Sequence, residues 1–132
     1  MNANQERQKL MYEGKVYEEQ TRMISREMEK VTLTMLDLSN AFKTIENMGD
    51  TNTLVPIGGN TFLEAKMQSD KVLVPVGGGY MIKMEKKKAQ KEVERRVEST
   101  KKVMEKLNKE HENLVKKMIE IDKKLMSLSK SS

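Results

Sequence analysis

The sequence contains no cysteine and no tryptophan, and it has one histidine and two prolines among 132 residues. Without cysteine, disulfides, zinc ribbons, iron–sulfur clusters and thiol nucleophiles are excluded. A single histidine leaves transition metals almost without ligands, so we expect no metal and no cofactor. Aromatic residues make up 4% and hydrophobic residues 36% of the chain, which is too little bulk for an ordinary globular core.

Long apolar runs are also missing, so we expect no membrane span. The first ten residues contain no apolar stretch, which argues against a secretory signal, and we expect a cytoplasmic protein. The net charge is +5 and lies in the second half, since residues 81–132 carry 16 basic and 9 acidic side chains. Lys86–Lys88 and Arg95–Arg96 are candidates for nucleic-acid binding. Because lysine alternates with glutamate and no aromatic residue is interleaved, we interpret this segment as a solvated helix face and expect no nucleic acid.

Apolar residues recur with a seven-residue period at both ends of the chain. From Val93, steps of alternately four and three residues meet nine apolar positions out of eleven. Every seventh residue from Leu10 is apolar, although Gly14 and Thr21 weaken the companion positions. These stripes predict two coiled-coil helices, over residues 4–48 and 85–129.

Two helices of similar length can fold back on each other, and this predicts an antiparallel coiled coil within one chain. In one register Phe42 meets Val93, and Leu10 lies beside Leu125. In the next register Phe42 meets Thr100 instead. The sequence leaves both registers open.

Residues 51–84 contain an internal repeat. The segment Leu-Val-Pro-Ile-Gly-Gly at 54–59 returns as Leu-Val-Pro-Val-Gly-Gly at 73–78, and each copy is followed by a second short apolar stretch. A strand, a glycine turn and a strand are typical of a β-hairpin. The glycines match no phosphate-binding motif, so we assign them to turns that need positive φ. The chain therefore reads as one α+β domain over residues 1–132, with two tandem β-hairpins between two long helices.

Two hairpins leave apolar faces and unpaired edges that a single chain does not cover. We therefore expect the hairpins of several subunits to join in an oligomeric β-barrel or sheet. The predicted oligomerisation residues are Leu54, Val55, Ile57, Phe62, Leu63, Val72, Val74, Val76, Tyr80 and Ile82.

No set of residues predicts catalysis, and we do not expect an enzyme. His111 occupies a position in the second stripe, where it is either a pH-sensitive break or a polar residue that fixes the register, and we favour the latter. Apolar side chains gather near the free ends of both helices, where Gly14 and Thr21 loosen the stripe. Methionines suit adaptable apolar contacts there. The predicted binding residues at these ends are Leu10, Met11, Tyr12, Tyr17, Ile121, Leu125, Met126 and Leu128.

The two Leu-Val-Pro-[Ile/Val]-Gly-Gly segments, Phe62 after the first Gly pair and Tyr80 after the second make the chain similar to the prefoldin family. The resemblance is strongest over residues 54–82 and points to archaeal alpha-type subunits, because beta-type subunits have a single hairpin. It departs at Asn60, where the family often has a small residue.

This resemblance implies a hexamer of two alpha and four beta subunits, whose hairpins form β-barrels and whose coiled coils extend from them. It implies an ATP-independent chaperone that holds unfolded or newly made proteins at the coiled-coil ends and delivers them to a group II chaperonin. The alternative is a structural coiled-coil spacer or a filament-forming prefoldin-like protein. Client identity, the chaperonin contacts and assembly without a beta-type partner stay open.

Overall fold

The computed structural model describes residues 2–49, 52–67 and 70–131. The predicted order of helix, two hairpins and helix is confirmed. Residue 51, the predicted start of the hairpin segment, lies outside the described residues. The elements in chain order are α1 (Ala3–Glu46), β1 (Asn52–Gly58), β2 (Thr61–Lys66), β3 (Val72–Gly77), β4 (Tyr80–Met84) and α2 (Lys86–Ser131).

Side chains at both ends of α1 satisfy backbone groups that the helix leaves without partners. The Asn2 side chain accepts a hydrogen bond from the backbone N–H of Gln5 at 2.9 Å, which is a typical N-cap. At the other end the Asn47 side chain donates to the carbonyl of Lys43 at 2.8 Å, and Lys86 Nζ donates to the carbonyl of Glu46 at 2.8 Å. These bonds satisfy carbonyl groups in the last turn of α1, which ends at Glu46, two residues before the predicted boundary at residue 48.

The strands form two separate antiparallel hairpins, hairpin 1 (β1 and β2) and hairpin 2 (β3 and β4). In the turns, Gly59 and Asn60 have φ of 56° and 59°, and Gly78 and Gly79 have φ of 61° and 81°. Two central residues with positive φ match the twist of a two-residue hairpin turn. The predicted need for positive φ is therefore confirmed, and Asn60 meets it without being glycine.

Each hairpin has an irregular register directly after its proline. The pairing shifts between Pro56 and Gly58 in hairpin 1 and between Pro75 and Gly77 in hairpin 2. Proline cannot donate to the ladder and is tolerated at edges and bulges. Over residues 2–49, 52–67 and 70–131 each sheet has two strands, so every strand has one edge without a strand beside it.

The chain divides into two compact units, and both helices contribute to each. The arm unit comprises residues 1–35 and 100–132, and the central unit comprises residues 36–99. The central unit contains a small core of buried apolar residues, with Leu38, Phe42, Met48 and Val72 packed against it. Its buried members are Ile45, Val74, Met84, Ala89 and Val93.

Candidate functional site

The two hairpins of the central unit differ in how they are supported. Hairpin 2 contributes Val74 and Met84 to the buried core, with exposed fractions of 4% and 9%. In hairpin 1 every described residue of β1 is exposed, and in β2 only Ala65 is even half-buried. Side chains of a strand alternate between two faces, so exposure along a whole strand means that neither of its faces is buried by the residues that the structure describes. Hairpin 1 is therefore less buried by its own chain than hairpin 2.

Polar contacts fasten hairpin 2 to α2 within the central unit. The Arg96 guanidinium donates a hydrogen bond to the backbone carbonyl of Pro75. The Glu92 carboxylate lies 3.9 Å from Arg96 Nε and accepts a hydrogen bond from Arg95 Nε at 3.2 Å. The hydrogen bond from Arg95 is the largest influence and holds the pKa of the Glu92 carboxyl below its usual value; desolvation opposes it, and the positive charges of Arg95, Arg96 and Lys88 add to the lowering.

Most of the predicted oligomerisation residues are exposed in the single chain. Val72 and Val74 differ, because Val74 lies in the core and Val72 packs against it. Their side chains are taken up by contacts within the chain, so we leave both out of the hairpin surface. Leu73 and Met81, which the sequence prediction omitted, are 57% and 62% exposed and belong to it. The hairpin surface, as named below, comprises Leu54, Val55, Ile57, Phe62, Leu63, Leu73, Val76, Tyr80, Met81 and Ile82.

In the arm unit the two helices pack in an antiparallel manner along the predicted seam. Thr21 Oγ1 lies 3.4 Å from Met118 Sδ, and a Cβ atom added at Gly14 would lie 3.6 Å from Ile121 Cγ2. Earlier residues of α1 thus meet later residues of α2. Leu10 and Leu125 line one groove in this unit.

The central unit agrees with the same register. Phe42 packs against the core cluster that includes Val93. The first of the two registers left open by the sequence is therefore the one in which this chain folds.

The predicted binding residues at the helix ends, named the arm tip below, fall into three classes. Leu10 and Ile121 are buried in the seam, at 7% and 6% exposed. Tyr17, Leu125 and Leu128 are half-buried. Met11, Tyr12 and Met126 are 50%, 70% and 61% exposed and lie free of the seam.

A groove opens in the arm tip beside Gly14. Apolar side chains of both helices line it, together with Lys15, Glu18 and Asp122 at its rim; the apolar lining consists of Leu10, Met11, Met118, Ile121 and Leu125. Because glycine has no side chain, the seam is one side chain short at this point. Nearby, Lys117 Nζ lies 5.4 Å from the centre of the Tyr17 ring, a cation–π distance that covers one face of that ring.

His111 lies half-buried in the arm unit, in a second shallow groove. Ser25, Met28, Glu29, Thr32 and Leu33 line the groove with it. The position agrees with the predicted place in the seam. The pH-sensitive role and the register role of His111 both stay predictions.

Among the residues that the structure describes, no three His, Asp or Glu side chains lie close enough together to hold a metal ion. Over the same ranges, no helix is both long and apolar enough to cross a membrane.

Sequence reasoning missed apolar residues outside the seam. Leu33 in α1 is 65% exposed, and Val103 and Ile119 in α2 are 49% and 48% exposed. The sequence could have identified these residues because they do not fit the seven-residue stripe. An apolar residue away from the stripe on a coiled-coil helix is expected to be solvent-exposed. Ile119 lies four residues before Lys123 and seven residues before Met126, so the three residues share one side of α2.

Comparison with known proteins identifies what the chain is similar to. Residues 17–131 match the family model described as prefoldin subunit. Prefoldin subunit alpha 1 of Methanocaldococcus jannaschii is 34% identical over 116 residues, which cover 87% of this chain and 77% of that protein. Prefoldin subunit alpha of Pyrococcus horikoshii is 26% identical over 98% of this chain and 86% of that protein.

Two solved structures have the same fold. A cryo-EM structure of filamentous PFD from Methanocaldococcus jannaschii matches with a TM-score of 0.68 and 23% identity, over 83% of this chain and 95% of that one. The crystal structure of the prefoldin beta subunit from Thermococcus strain KS-1 matches with a TM-score of 0.69 and 18% identity, over 96% of this chain and 94% of that one. At these identities the structures support the fold alone.

Proposed function

Because this chain belongs to the prefoldin family, we propose that it is a subunit of an ATP-independent molecular chaperone. Family membership by itself supports a chaperone-type subunit. The finer proposal is that the chain binds unfolded or newly made proteins at its arm tip and delivers them to a group II chaperonin. The proposal includes no nucleotide, cofactor or catalytic step, and it places the protein in the cytoplasm.

Assembly through the hairpin surface is the first part of this proposal. Hairpin 1 supports it, because both faces of its strands are exposed and each strand has one unpaired edge. Such strands gain hydrogen bonds and apolar burial by pairing with another chain. The proposed partners are beta-type prefoldin subunits, in a hexamer of two alpha-type and four beta-type chains whose hairpins join in a β-barrel.

Client binding by the exposed side chains of the arm tip is the second part of the proposal. Met11, Tyr12 and Met126 present apolar surface beside a groove at the end of the arm unit. Unfolded proteins expose many different apolar side chains, and flexible methionine side chains adapt to varied partners. Many weak contacts of this kind hold a client without any need for nucleotide.

Truncation separates the two parts of the proposal. Removing about residues 1–14 and 120–132 is expected to leave assembly with a beta-type partner intact while protection of an unfolded client from aggregation falls. Native mass measurement with and without the partner chain checks assembly, and light scattering of a denatured client checks protection. Client protection that survives the truncation rejects the arm tip as the binding site. The full-length chain mixed with the same partner is the control.

A filament-forming or spacer role is the second candidate. The cryo-EM structure matched above, described as filamentous PFD, favours keeping it, since the same fold there occurs in a filament. The expected signature is polymer length that grows with concentration in the absence of a partner chain. A discrete mass that is independent of concentration contradicts the filament, and the chaperone hexamer is then expected to show the mass of two alpha-type and four beta-type chains once the partner is added.

A further inference from the structure

A row of lysines lies along α2 on the side opposite its buried seam. Within the arm unit these residues follow one another at seven-residue intervals, and all are exposed: Lys102, Lys109, Lys116, Lys123 and Lys130. Seven residues make nearly two helical turns, so successive members lie above one another, roughly 10.5 Å apart. The row therefore presents a line of positive charge with a regular period.

The neighbours of this row change along the helix. Glu105 and Glu112 stand four residues before Lys109 and Lys116, the spacing and order in which a helical ion pair is most favourable. Four residues before Lys123 and Lys130 the sequence has Ile119 and Met126 instead. These two side chains are 48% and 61% exposed. The same helix face thus changes from mixed charge to basic and apolar.

The last part of α2 accordingly has more basic than acidic side chains. Residues 115–131 carry five basic and two acidic side chains, a net charge of +3, whereas residues 100–114 carry four and three, a net charge of +1. Within the described residues, neither Lys123 nor Lys130 forms an ion pair. Glu120 is the acidic residue three positions before Lys123, but Lys116, Lys117 and Lys124 also lie within four residues of it.

Lys123 and Lys130 form the two ends of a shallow groove, with Met126 and Ser127 between them. We propose that this outer groove of α2 binds an acidic amphipathic helix of a partner protein. Carboxylates repeated every seven residues on the partner meet the lysines, and an apolar side chain between them meets Met126. Charge complementarity selects such a partner, and the apolar centre adds burial that a purely ionic surface lacks.

Nucleic acid fits this groove less well. Its phosphates would meet the lysines, but the exposed Met126 and Ile119 offer the bases no aromatic ring on which to stack. The proposal does not depend on client binding, because the groove lies on the outer side of α2 and recognises charge as well as apolar surface. Met126 is the residue that the groove shares with the arm tip.

Binding of a defined peptide to the full chain tests the inference. The probe is a synthetic helical peptide with glutamate at every seventh position and leucine between, and its counterpart carries glutamine in place of glutamate. The double variant Lys123→Glu with Lys130→Glu is expected to weaken binding of the acidic peptide on the order of tenfold. The matched control, Lys102→Glu with Lys109→Glu, reverses two charges of the same row where glutamates already flank it, and a change within about twofold is expected. Circular dichroism checks that both variants keep their helices, since all four positions are exposed.

The outcomes separate the proposal from plain electrostatic attraction. Met126→Ser is expected to weaken binding as well, because the apolar centre is part of the site. Equal losses from the two charge-reversal pairs, or equal binding of the glutamine peptide, overturn the proposal. Tighter binding of a single-stranded oligonucleotide than of the acidic peptide also overturns it. Unchanged protection of an uncharged client by the Lys123→Glu, Lys130→Glu variant separates this groove from the client-binding role.

Discussion

Replacing Gly14 by alanine is expected to stabilise the arm unit. Gly14 lies inside α1, where glycine costs about 1 kcal/mol relative to alanine. The added Cβ would lie 3.6 Å from Ile121 Cγ2, which is ordinary van der Waals contact rather than a clash. Partial burial of this methyl group adds at most about 0.8 kcal/mol. Together these contributions raise the free energy of local opening by about 1 to 1.8 kcal/mol.

Amide hydrogen exchange measures this change where it occurs. A gain of about 1.4 kcal/mol slows exchange of amides that open locally about tenfold. The slowing is expected for α1 amides near Gly14 and for α2 amides near Ile121, measured at matched protein concentration because assembly also affects stability. Protection that rises in both helices ties the effect to the seam rather than to helix propensity alone.

Two other glycines provide controls. Gly49 lies beyond the end of α1, and a Cβ there would meet nothing within 4 Å, so Gly49→Ala is expected to change stability by less than about 0.5 kcal/mol. Gly78 has a φ of +61°, so Gly78→Ala is expected to destabilise hairpin 2 by more than about 0.5 kcal/mol. Faster exchange in Gly14→Ala than in the unchanged chain would refute the seam packing described here, since it requires a clash where the structure has room.

Three further substitutions test the central unit. Ile45→Ala removes a side chain that is 6% exposed in the core, and it is expected to lower the free energy of unfolding by about 2 to 4 kcal/mol in chemical denaturation. Leu54→Ser, at a position 60% exposed in hairpin 1, is the control, and it is expected to leave the stability of the single chain nearly unchanged while weakening assembly in native mass measurement. Glu92 has a lowered pKa through its hydrogen bond with Arg95, so its contribution to stability is present above the ordinary value of 4.5 and is lost as pH falls through the lower folded value. Glu92→Gln is therefore expected to make the stability less sensitive to acid over that range, and an unchanged acid dependence contradicts the assignment of the shift to this pair.

The long-range order of the fold was predictable because two simple periods carry it. A seven-residue stripe predicts a coiled-coil helix, and a repeated strand–glycine–strand pattern predicts hairpins. The register was not predictable, because shifting Phe42 by one heptad from Val93 to Thr100 exchanges one seam position for another of the same kind. Packing at particular residues decides it, such as the approach of Gly14 to Ile121.

The arm tip was only partly predictable for a related reason. Apolar residues near a helix end serve the seam or the surface, and periodicity assigns Leu10 and Ile121 to the seam, where both are buried. Met11, Tyr12 and Met126 break the period, and they are the exposed members. Proposed client contacts by Leu10 and Ile121 therefore require the seam to open locally. If they contribute, Gly14→Ala is expected to weaken client capture even though it adds stability.

The internal repeat shows what a sequence motif leaves undecided. Val55 and Val74 occupy equivalent positions in the two copies, yet they are 42% and 4% exposed. The copies differ in what lies beside them: β4 of hairpin 2 ends two residues before α2, and Arg96 of α2 bonds to Pro75 of β3. Hairpin 2 is thereby held by its own chain and buries Val74, whereas the equivalent Val55 of hairpin 1 stays exposed. Replacing Val55 is therefore expected to weaken assembly more than replacing Val74 does. Replacing Val74 is instead expected to lower the free energy of unfolding of the single chain.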